Sequence, residues 1–188
     1  RPALILEYIK GETLRDLIRR AALDLRSRLQ IAVDLAGLLQ RIHERKIIHL
    51  DISSSNILIG YEQQTLHLID LGTALSTEGG GQTKIGPDQI LGDPEYISPE
   101  QTGRINRAVD ERSDLYSLGV VLYELVTGRL PLDSRAASEL VHDQIARGPD
   151  SPAALMPEIP GVLGAISLRR LSKDAEDRYQ SAAGVQAD

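Results

Sequence analysis

The longest regular pattern of apolar positions lies between residues 24 and 45. Leucine, isoleucine and alanine recur there at spacings of three and four, which predicts one long amphipathic helix. A shorter helix is expected within "GETLRDLIRR" (11–20), with Thr13 as its N-cap. Residues 113–128, "SDLYSLGVVLYELVTG", are apolar nearly all round, so the helix predicted there is buried and ends at Gly128.

Short apolar runs predict strands at residues 3–9, 46–49, 56–60 and 65–70, and "YEQQ" forms a turn between the last two. Further helices are expected at residues 134–147, at 161–172 and in the C-terminal "YQSAAGVQAD". Residues 73–98 read mostly as a long loop, which in a compact domain is usually functional or disordered. The pattern predicts a mainly α fold with small β hairpins and no domain boundary within residues 1–188.

Composition narrows the class of protein. The chain has no Cys, which excludes disulfides and thiolate metal sites and fits a reducing, cytoplasmic location. The net charge of −6 argues against non-specific binding to nucleic acid. No apolar run reaches the roughly 18 residues of a membrane span. Because the chain starts at Arg1 inside an apolar run, we expect it to be part of a longer polypeptide.

Three polar residues around the predicted hairpin suggest phosphate chemistry. Asn56 precedes one strand and Asp70 ends the next, so a hairpin would bring them together. Carboxylate and amide oxygens suit Mg²⁺ that holds a polyphosphate. Asp51 would then remain free to accept a proton from an attacking hydroxyl, and Gly72 would let the chain turn after Asp70. Taken singly, each residue could equally cap a local turn.

Several motifs, in this order along the chain, resemble those of a protein kinase domain. They are "LILEYIKGETL" (4–14, the hinge), "HLDISSSNIL" (49–58, the catalytic loop), "DLG" (70–72, the D-F-G motif), "GDPEYISPE" (92–100, the segment ending in A-P-E), "DERSDLYSLGVVLYELVTGRLPL" (110–132, the buried helix of the large lobe) and "DRYQSA" (177–182). The sequences of these motifs look most like those of bacterial serine/threonine kinase domains fused to ATPase and sensor histidine kinase proteins. The resemblance implies a protein-kinase-like fold comprising the hinge and large lobe only.

The resemblance also implies roles for individual residues. Asp51 would be the catalytic base, and Asn56 and Asp70 would hold Mg²⁺ beside ATP. The expected nucleotide contacts are the hinge residues Glu7 and Ile9, Thr13 near the ribose and Leu58 under the base. The expected structural residues are His49 and Leu71 as spine residues, Asp114 as their anchor, and Glu100 and Arg178 as a buried ion pair within about 4 Å.

The sequence departs from the kinase pattern at four points. Residues 1–188 contain no small lobe, and "GGGQTK" (79–84) does not replace its Gly-rich loop, so we expect this segment alone to transfer no phosphate. Leu50 stands where kinases commonly have an Arg that pairs with a phosphorylated loop. Ser53 replaces the usual Lys. Asp93 replaces a Thr, which would put a second carboxylate near Asp51.

Three functions remain open at this stage. The first is a protein serine/threonine kinase that transfers the ATP γ-phosphate to a protein substrate, within a larger signalling polypeptide. The second is a pseudokinase that binds ATP or a partner without transfer. The third, a small-molecule phosphotransferase of the aminoglycoside or choline kinase type, is disfavoured by "YISPE" and "DLYSLGVVLYELVTG". A missing small lobe also predicts an exposed apolar patch formed by Leu4, Leu6, Leu58 and Ile69.

Overall fold

The computed structural model describes residues 7–62, 65–79, 83–86, 89–132, 137–156, 159 and 161–187. These ranges are mainly helical. The helices are α1 (Leu14–Arg19), α2 (Leu25–Glu44), α3 (Glu111–Thr127), α4 (Ala137–Ala146), α5 (Pro152–Leu155), α6 (Gly161–Arg170) and α7 (Ala182–Ala187), and single 3-10 turns cover Pro99–Thr102 and Ala175–Asp177.

Five short strands form two antiparallel sheets within the described ranges. The strands are β1 (Gly11–Thr13), β2 (Ile47–Ile48), β3 (Ile57–Gly60), β4 (Leu66–Leu68) and β5 (Leu75–Ser76). One sheet has the order β1-β3-β4, and β2 pairs with β5 in the other. The predicted hairpin of β3 and β4 is therefore confirmed, with Ile57 opposite Leu68 and Leu58 opposite His67.

The register of the three-stranded sheet separates a core face from an open face. Directly paired residues share a face and neighbours along a strand alternate. The face that carries Ile57, Ile59, Leu66 and Leu68 packs into the main core. The opposite face carries Leu58 together with its partners His67 and Thr13. Leu58, which the resemblance places under the base of a nucleotide, thus lies on the open face of the sheet.

Helix α3 forms the centre of the core, as its all-round apolar pattern predicts. Every residue from 113 to 126 is buried. The helix begins at the N-cap Asp110, whose side chain accepts the Arg112 N–H, and ends at Gly128 with φ +72°. Helix α6 crosses α3 closely, since a Cβ on Gly119 would lie 2.7 Å from Arg170 Cβ. Helices α2 and α7 pack against each other.

Most helix predictions are confirmed. Thr13 caps α1 by accepting the Asp16 N–H at 3.2 Å. Helix α2 starts and ends within one residue of the predicted bounds. Helices α4 and α6 lie inside the predicted ranges, although residues 133–136 are outside the described part of the chain. No helix in the described ranges is long and apolar enough to cross a bilayer.

Four local predictions differ from the structure. Residues 3–6 of the predicted strand 3–9 lie outside the described residues, and residues 7–9 form no strand. The strand nearby is β1, whose sequence Gly-Glu-Thr has no apolar pattern and whose structure comes from pairing with β3. Residues 75 and 76, expected in a loop, form β5. The Pro-rich segment before α6 contains α5, which Pro152 begins as its first residue.

Candidate active site

Hydrogen bonds to a buried carboxylate at the start of α3 anchor the loop of residues 49–56. Asp114 is fully buried, and its oxygens accept the His49 N–H at 2.9 Å and the Leu50 N–H at 2.8 Å. His43 Nε2 lies 2.9 Å from Asp114 Oδ2. Leu50 adopts φ +64°, a conformation that costs a non-glycine residue about 1 kcal/mol or more. Asp114 therefore holds a strained turn immediately before Asp51.

Asp51 is held by hydrogen bonds to both of its carboxylate oxygens. Asn56 Nδ2 donates to Asp51 Oδ2 at 2.8 Å and to the Asp51 carbonyl at 2.9 Å. The Asp93 backbone N–H donates to Asp51 Oδ1 at 2.8 Å. Asp51 itself is only partly buried. A carboxylate oriented in this way keeps lone pairs available for a proton from an incoming hydroxyl.

Gly92 allows the segment that carries Asp93 to approach Asp51. Its φ is +97°, and a Cβ there would lie 2.5 Å from the Leu50 carbonyl oxygen and 3.3 Å from Asp51 Oδ1. The buried Gln101 also links these two segments, because its Nε2 donates to the carbonyls of Leu50 and Leu91, each at 2.8 Å. Neither Gly92 nor Gln101 was singled out by the sequence analysis.

We expect Gly92→Ala to lower the free energy of unfolding by roughly 1–3 kcal/mol, since a side chain there combines a strained φ with a backbone clash. Gly148→Ala is the matched control, because a Cβ on Gly148 meets nothing within 4 Å. Urea unfolding of both variants measures the difference. Equal stability of the two variants would contradict the assigned close approach.

Asn56 and Asp70 both lie at the end of the hairpin. The Ile69 N–H donates to the Asn56 carbonyl at 2.9 Å, which places Asp70 one residue beyond the pair. Asp70 has φ +65° and is exposed, and its Oδ1 accepts the Gly72 N–H at 3.1 Å. Asp tolerates this left-handed conformation. The turn expected at Gly72 follows it, closed by a hydrogen bond from the Ala74 N–H to the Leu71 carbonyl at 3.1 Å.

The oxygens of this pair fit a magnesium site. Asn56 uses its amide nitrogen for Asp51, and its Oδ1 accepts no hydrogen bond from the described residues, nor does Asp70 Oδ2. No group of three or more Asp, Glu, His or Cys side chains in the described ranges could hold a metal alone. Mg²⁺ commonly takes only one or two protein oxygens and completes its shell with phosphates and water. Two ligands on an exposed edge therefore suit a metal that arrives with a nucleotide.

The predicted nucleotide residues surround the open face of the sheet. Leu58 and Ile69 are partly exposed, in line with the predicted apolar patch, while Leu4 and Leu6 lie outside the described residues. Glu7 is exposed and Ile9 is half-buried. The Thr13 hydroxyl is already used in the cap of α1, donating to Asp16 Oδ2 at 2.7 Å. A ribose would have to compete for that hydroxyl.

The two predicted spine residues behave differently. His49 is fully buried, and burial lowers its pKa, although the Asp114 and Asp51 carboxylates act in the opposite direction. Its Nδ1 accepts the Asp51 N–H at 3.3 Å. Leu71 is 59% exposed, so it forms no packed spine within the described structure. The spine role of Leu71 therefore stays a prediction.

Leu50 occupies an apolar cluster instead of a charged one. It is buried with Ile48 and Val109, and Ile85 and Leu91 from the following long segment pack against them. Burying these side chains fixes Ile85 and Leu91 against the 49–56 loop by the hydrophobic effect.

Asp93 does lie next to Asp51, but its carboxylate points elsewhere. Its Oδ2 lies 3.4 Å from the Arg15 guanidinium, and its Oδ1 accepts the Glu95 N–H at 3.1 Å. Only the Asp93 backbone N–H faces Asp51. The expected like-charge contact is therefore relieved by Arg15, a residue of α1 that the sequence analysis missed, since nothing local links positions 15 and 93.

The predicted ion pair between Glu100 and Arg178 is present. The Arg178 Nη atoms donate to Glu100 Oε1 at 2.8 Å and Oε2 at 3.0 Å, and both residues are buried. Ser113 donates to Glu100 Oε1 at 2.7 Å. Burial acts to raise the pKa of Glu100, but the Arg178 and Ser113 hydrogen bonds and the Arg178 charge outweigh it, so the pKa lies below its usual value.

Fold and site together define a protein kinase domain. The chain belongs to the protein kinase domain family, which matches residues 1–179. It is 35% identical over its whole length to a probable serine/threonine-protein kinase PknB of Bifidobacterium longum, covering 27% of that protein. It is 32% identical to the serine/threonine-protein kinase PknB of Mycobacterium tuberculosis, covering 30% of it. The chain thus spans between a quarter and a third of the length of these relatives.

Proposed function

We propose that this chain is the hinge and large lobe of a serine/threonine protein kinase that transfers the γ-phosphate of ATP to a protein hydroxyl. The Gly-rich loop and strand lysine of a kinase small lobe would lie outside residues 1–188. The observation that carries the proposal is the Asp51 carboxylate, oriented by the Asn56 amide at 2.8 Å and the Asp93 N–H at 2.8 Å.

In this proposal the substrate hydroxyl oxygen bonds to the γ-phosphorus while the bond from that phosphorus to the β–γ bridging oxygen breaks and ADP leaves. Asp51 accepts the proton of the hydroxyl. Asn56 and Asp70 would hold Mg²⁺, which would neutralise charge on the phosphates. The open face of the sheet, with Leu58, would lie under the adenine. Most of the rate enhancement then comes from positioning and charge, as is usual for phosphoryl transfer.

A protein substrate is favoured over a small molecule by the segment that follows Asp93. Tyr96 is buried and donates to Glu124 Oε2 at 2.6 Å, which fixes this segment on α3. Both relatives named above carry serine/threonine-protein kinase in their names. A cytoplasmic location and further signalling domains in the same polypeptide, including fusion to ATPase and sensor histidine kinase units, remain part of this proposal.

A second candidate is a pseudokinase that binds Mg-ATP without transferring phosphate. Ser53 favours it, since Ser53 is buried and supplies no positive charge next to Asp51. Under this reading the metal residues Asn56 and Asp70 would still function. The two candidates differ in a single measurable step, the transfer of labelled γ-phosphate to a protein.

The test uses the full-length parent protein with labelled ATP, Mg²⁺ and a serine/threonine protein substrate. We expect Asp70→Asn to weaken Mg-ATP binding roughly 10–100-fold or more, because even indirect support of a metal ligand is worth that much. Isothermal calorimetry measures the affinity. Glu62→Gln is the charge-matched control, on the exposed turn after β3.

Each outcome of that test has one meaning. Labelled protein supports the kinase, whereas Mg-ATP binding without any transfer supports the pseudokinase. Unchanged Mg-ATP affinity in Asp70→Asn would contradict the metal assignment in both.

A further inference from the structure

The position of Asp93 creates an electrostatic problem beside the catalytic aspartate. The backbone N–H of Asp93 lies 2.8 Å from Asp51 Oδ1. The Asp93 carboxylate belongs to the same residue, so a second negative charge is present close to Asp51. Two carboxylates that share a site repel each other and favour the loss of one charge. For the Asp93 N–H to support Asp51, the Asp93 side chain must be held away.

Arg15 is the cation that reaches the Asp93 carboxylate. Its Nη2 lies 3.4 Å from Asp93 Oδ2 and 3.5 Å from Glu95 Oε2. Both carboxylates flank Pro94 in the segment that passes Asp51. Both contacts are made by the same nitrogen of the guanidinium, so one cation lies against two carboxylates. Its side chain is 24% exposed, so solvent only partly screens the contact.

Arg15 is itself fixed on the 49–56 loop. Its backbone N–H donates to the Ser54 carbonyl at 3.0 Å, and its Nε donates to Ser54 Oγ at 3.4 Å. Its Nη2 donates to the Tyr96 hydroxyl at 3.4 Å, and the guanidinium lies 5.7 Å from the centre of the Tyr96 ring. Burial tends to lower the pKa of Arg15, but Tyr96, Asp93 and Glu95 outweigh it and raise the pKa.

We propose that Arg15 is a positioning residue of the active site. It draws the Asp93 carboxylate away from Asp51, so that the Asp93 N–H alone faces the catalytic base. Arg15 thereby compensates for the Asp that stands at position 93. Its kinetic consequence rests on the proposed kinase function, whereas its effect on the Asp93 N–H does not.

The kinetic test compares Arg15→Ala with the wild type, and Arg15→Ala/Asp93→Thr with Asp93→Thr, in the full-length parent. In the native background we expect kcat to fall about tenfold, the effect of losing one charge-assisted hydrogen bond, with an unchanged KM for ATP. In the Asp93→Thr background the same substitution should change kcat by less than about twofold, because no carboxylate remains to be held. Arg15→Lys, which keeps the cation, should retain most of the rate.

Arg20→Ala is the matched control. Arg20 is the C-cap residue of the same helix and pairs with Glu12, and its side chain is 59% exposed. We expect its kcat to match the wild type. Equal losses for Arg15→Ala with and without Asp93→Thr, or a loss expressed in KM alone, would overturn the proposal.

Hydrogen exchange at the backbone amide of residue 93 tests the positioning role of Arg15 even if the full-length parent transfers no phosphate. We expect Arg15→Ala to speed that exchange about tenfold, because the N–H···Asp51 bond opens more often. Protection should return in Arg15→Ala/Asp93→Thr and persist in Arg20→Ala. Unchanged exchange in Arg15→Ala would sink the positioning role. Accelerated exchange in a parent without transfer would retain it while refuting the kinase function.

Discussion

Asp51→Asn in the full-length parent is expected to reduce the rate of phosphate transfer by about 10²–10⁴-fold, the usual contribution of a positioned general base. The amide that results cannot accept the hydroxyl proton. Its NH₂ group would also face either the Asn56 amide nitrogen or the Asp93 N–H, both of which now donate to Asp51 at 2.8 Å. One of these two hydrogen bonds must therefore break.

The affinity for Mg-ATP should stay close to that of the wild type in Asp51→Asn, since the metal oxygens belong to Asn56 and Asp70. Single-turnover transfer and calorimetry on the same preparation separate the two effects. Asp34→Asn, on the exposed side of α2, is the charge control and should retain full activity. If Asp51→Asn lost nucleotide binding as completely as Asp70→Asn, the roles of the two aspartates would be wrongly assigned.

The pattern of apolar positions along the sequence was enough to predict the hairpin and the helix that support this site. The apolar pattern predicted the β3–β4 hairpin, and pairing of its strands brings Asn56 next to Ile69 and Asp70. Helix α3 was predicted as buried because it lacks a polar face, and burial is what allows Asp114 to hold the 49–56 loop. Both features depend on short-range patterns that the sequence carries directly.

The supporting contacts of the site had no such local signal. Arg15 meets Asp93 across 78 positions, and Gln101 meets the Leu50 carbonyl across 51. Gly92 approaches the carbonyl of Leu50, which is distant from it in the sequence. Likewise, β1 and β5 exist only through their pairing partners. Such features follow from tertiary packing, which overrides local preference in short segments.

The backbone at Asp70 has a feature that the sequence pattern did not indicate. Asp70 adopts the left-handed conformation, with φ +65°, and its side chain accepts the Gly72 N–H. Asp is among the few residues that reach this conformation at low cost, but its presence alone does not predict it. The turn expected at Gly72 follows directly, closed by a hydrogen bond from the Ala74 N–H to the Leu71 carbonyl.

The largest loss of stability is expected from Glu100→Ala or Arg178→Ala. Each variant should lower the free energy of unfolding by roughly 3–5 kcal/mol, because it leaves a buried charge without its partner. Arg178 is almost completely buried and also donates to the carbonyls of Arg112, Ser172 and Lys173. Its guanidinium lies 4.9 Å from the centre of the Tyr116 ring. The side chain thus joins the 3-10 turn of residues 99–102 to α3 and to the last helices.

Urea unfolding measures these losses, with Glu62→Ala as the exposed control that should change stability by less than about 0.5 kcal/mol. The Glu100→Ala/Arg178→Ala double variant should be less destabilised than the sum of the two single variants, since no unpaired charge remains. The pH dependence has a definite sign. The pKa of Glu100 is lowered by folding, so its contribution is present above the pKa of an unfolded Glu and is lost as the pH falls through the lower folded value. Strict additivity of the two variants would mean that Glu100 and Arg178 act independently, and that the ion pair is not what fastens residues 99–102 to the C-terminal helices.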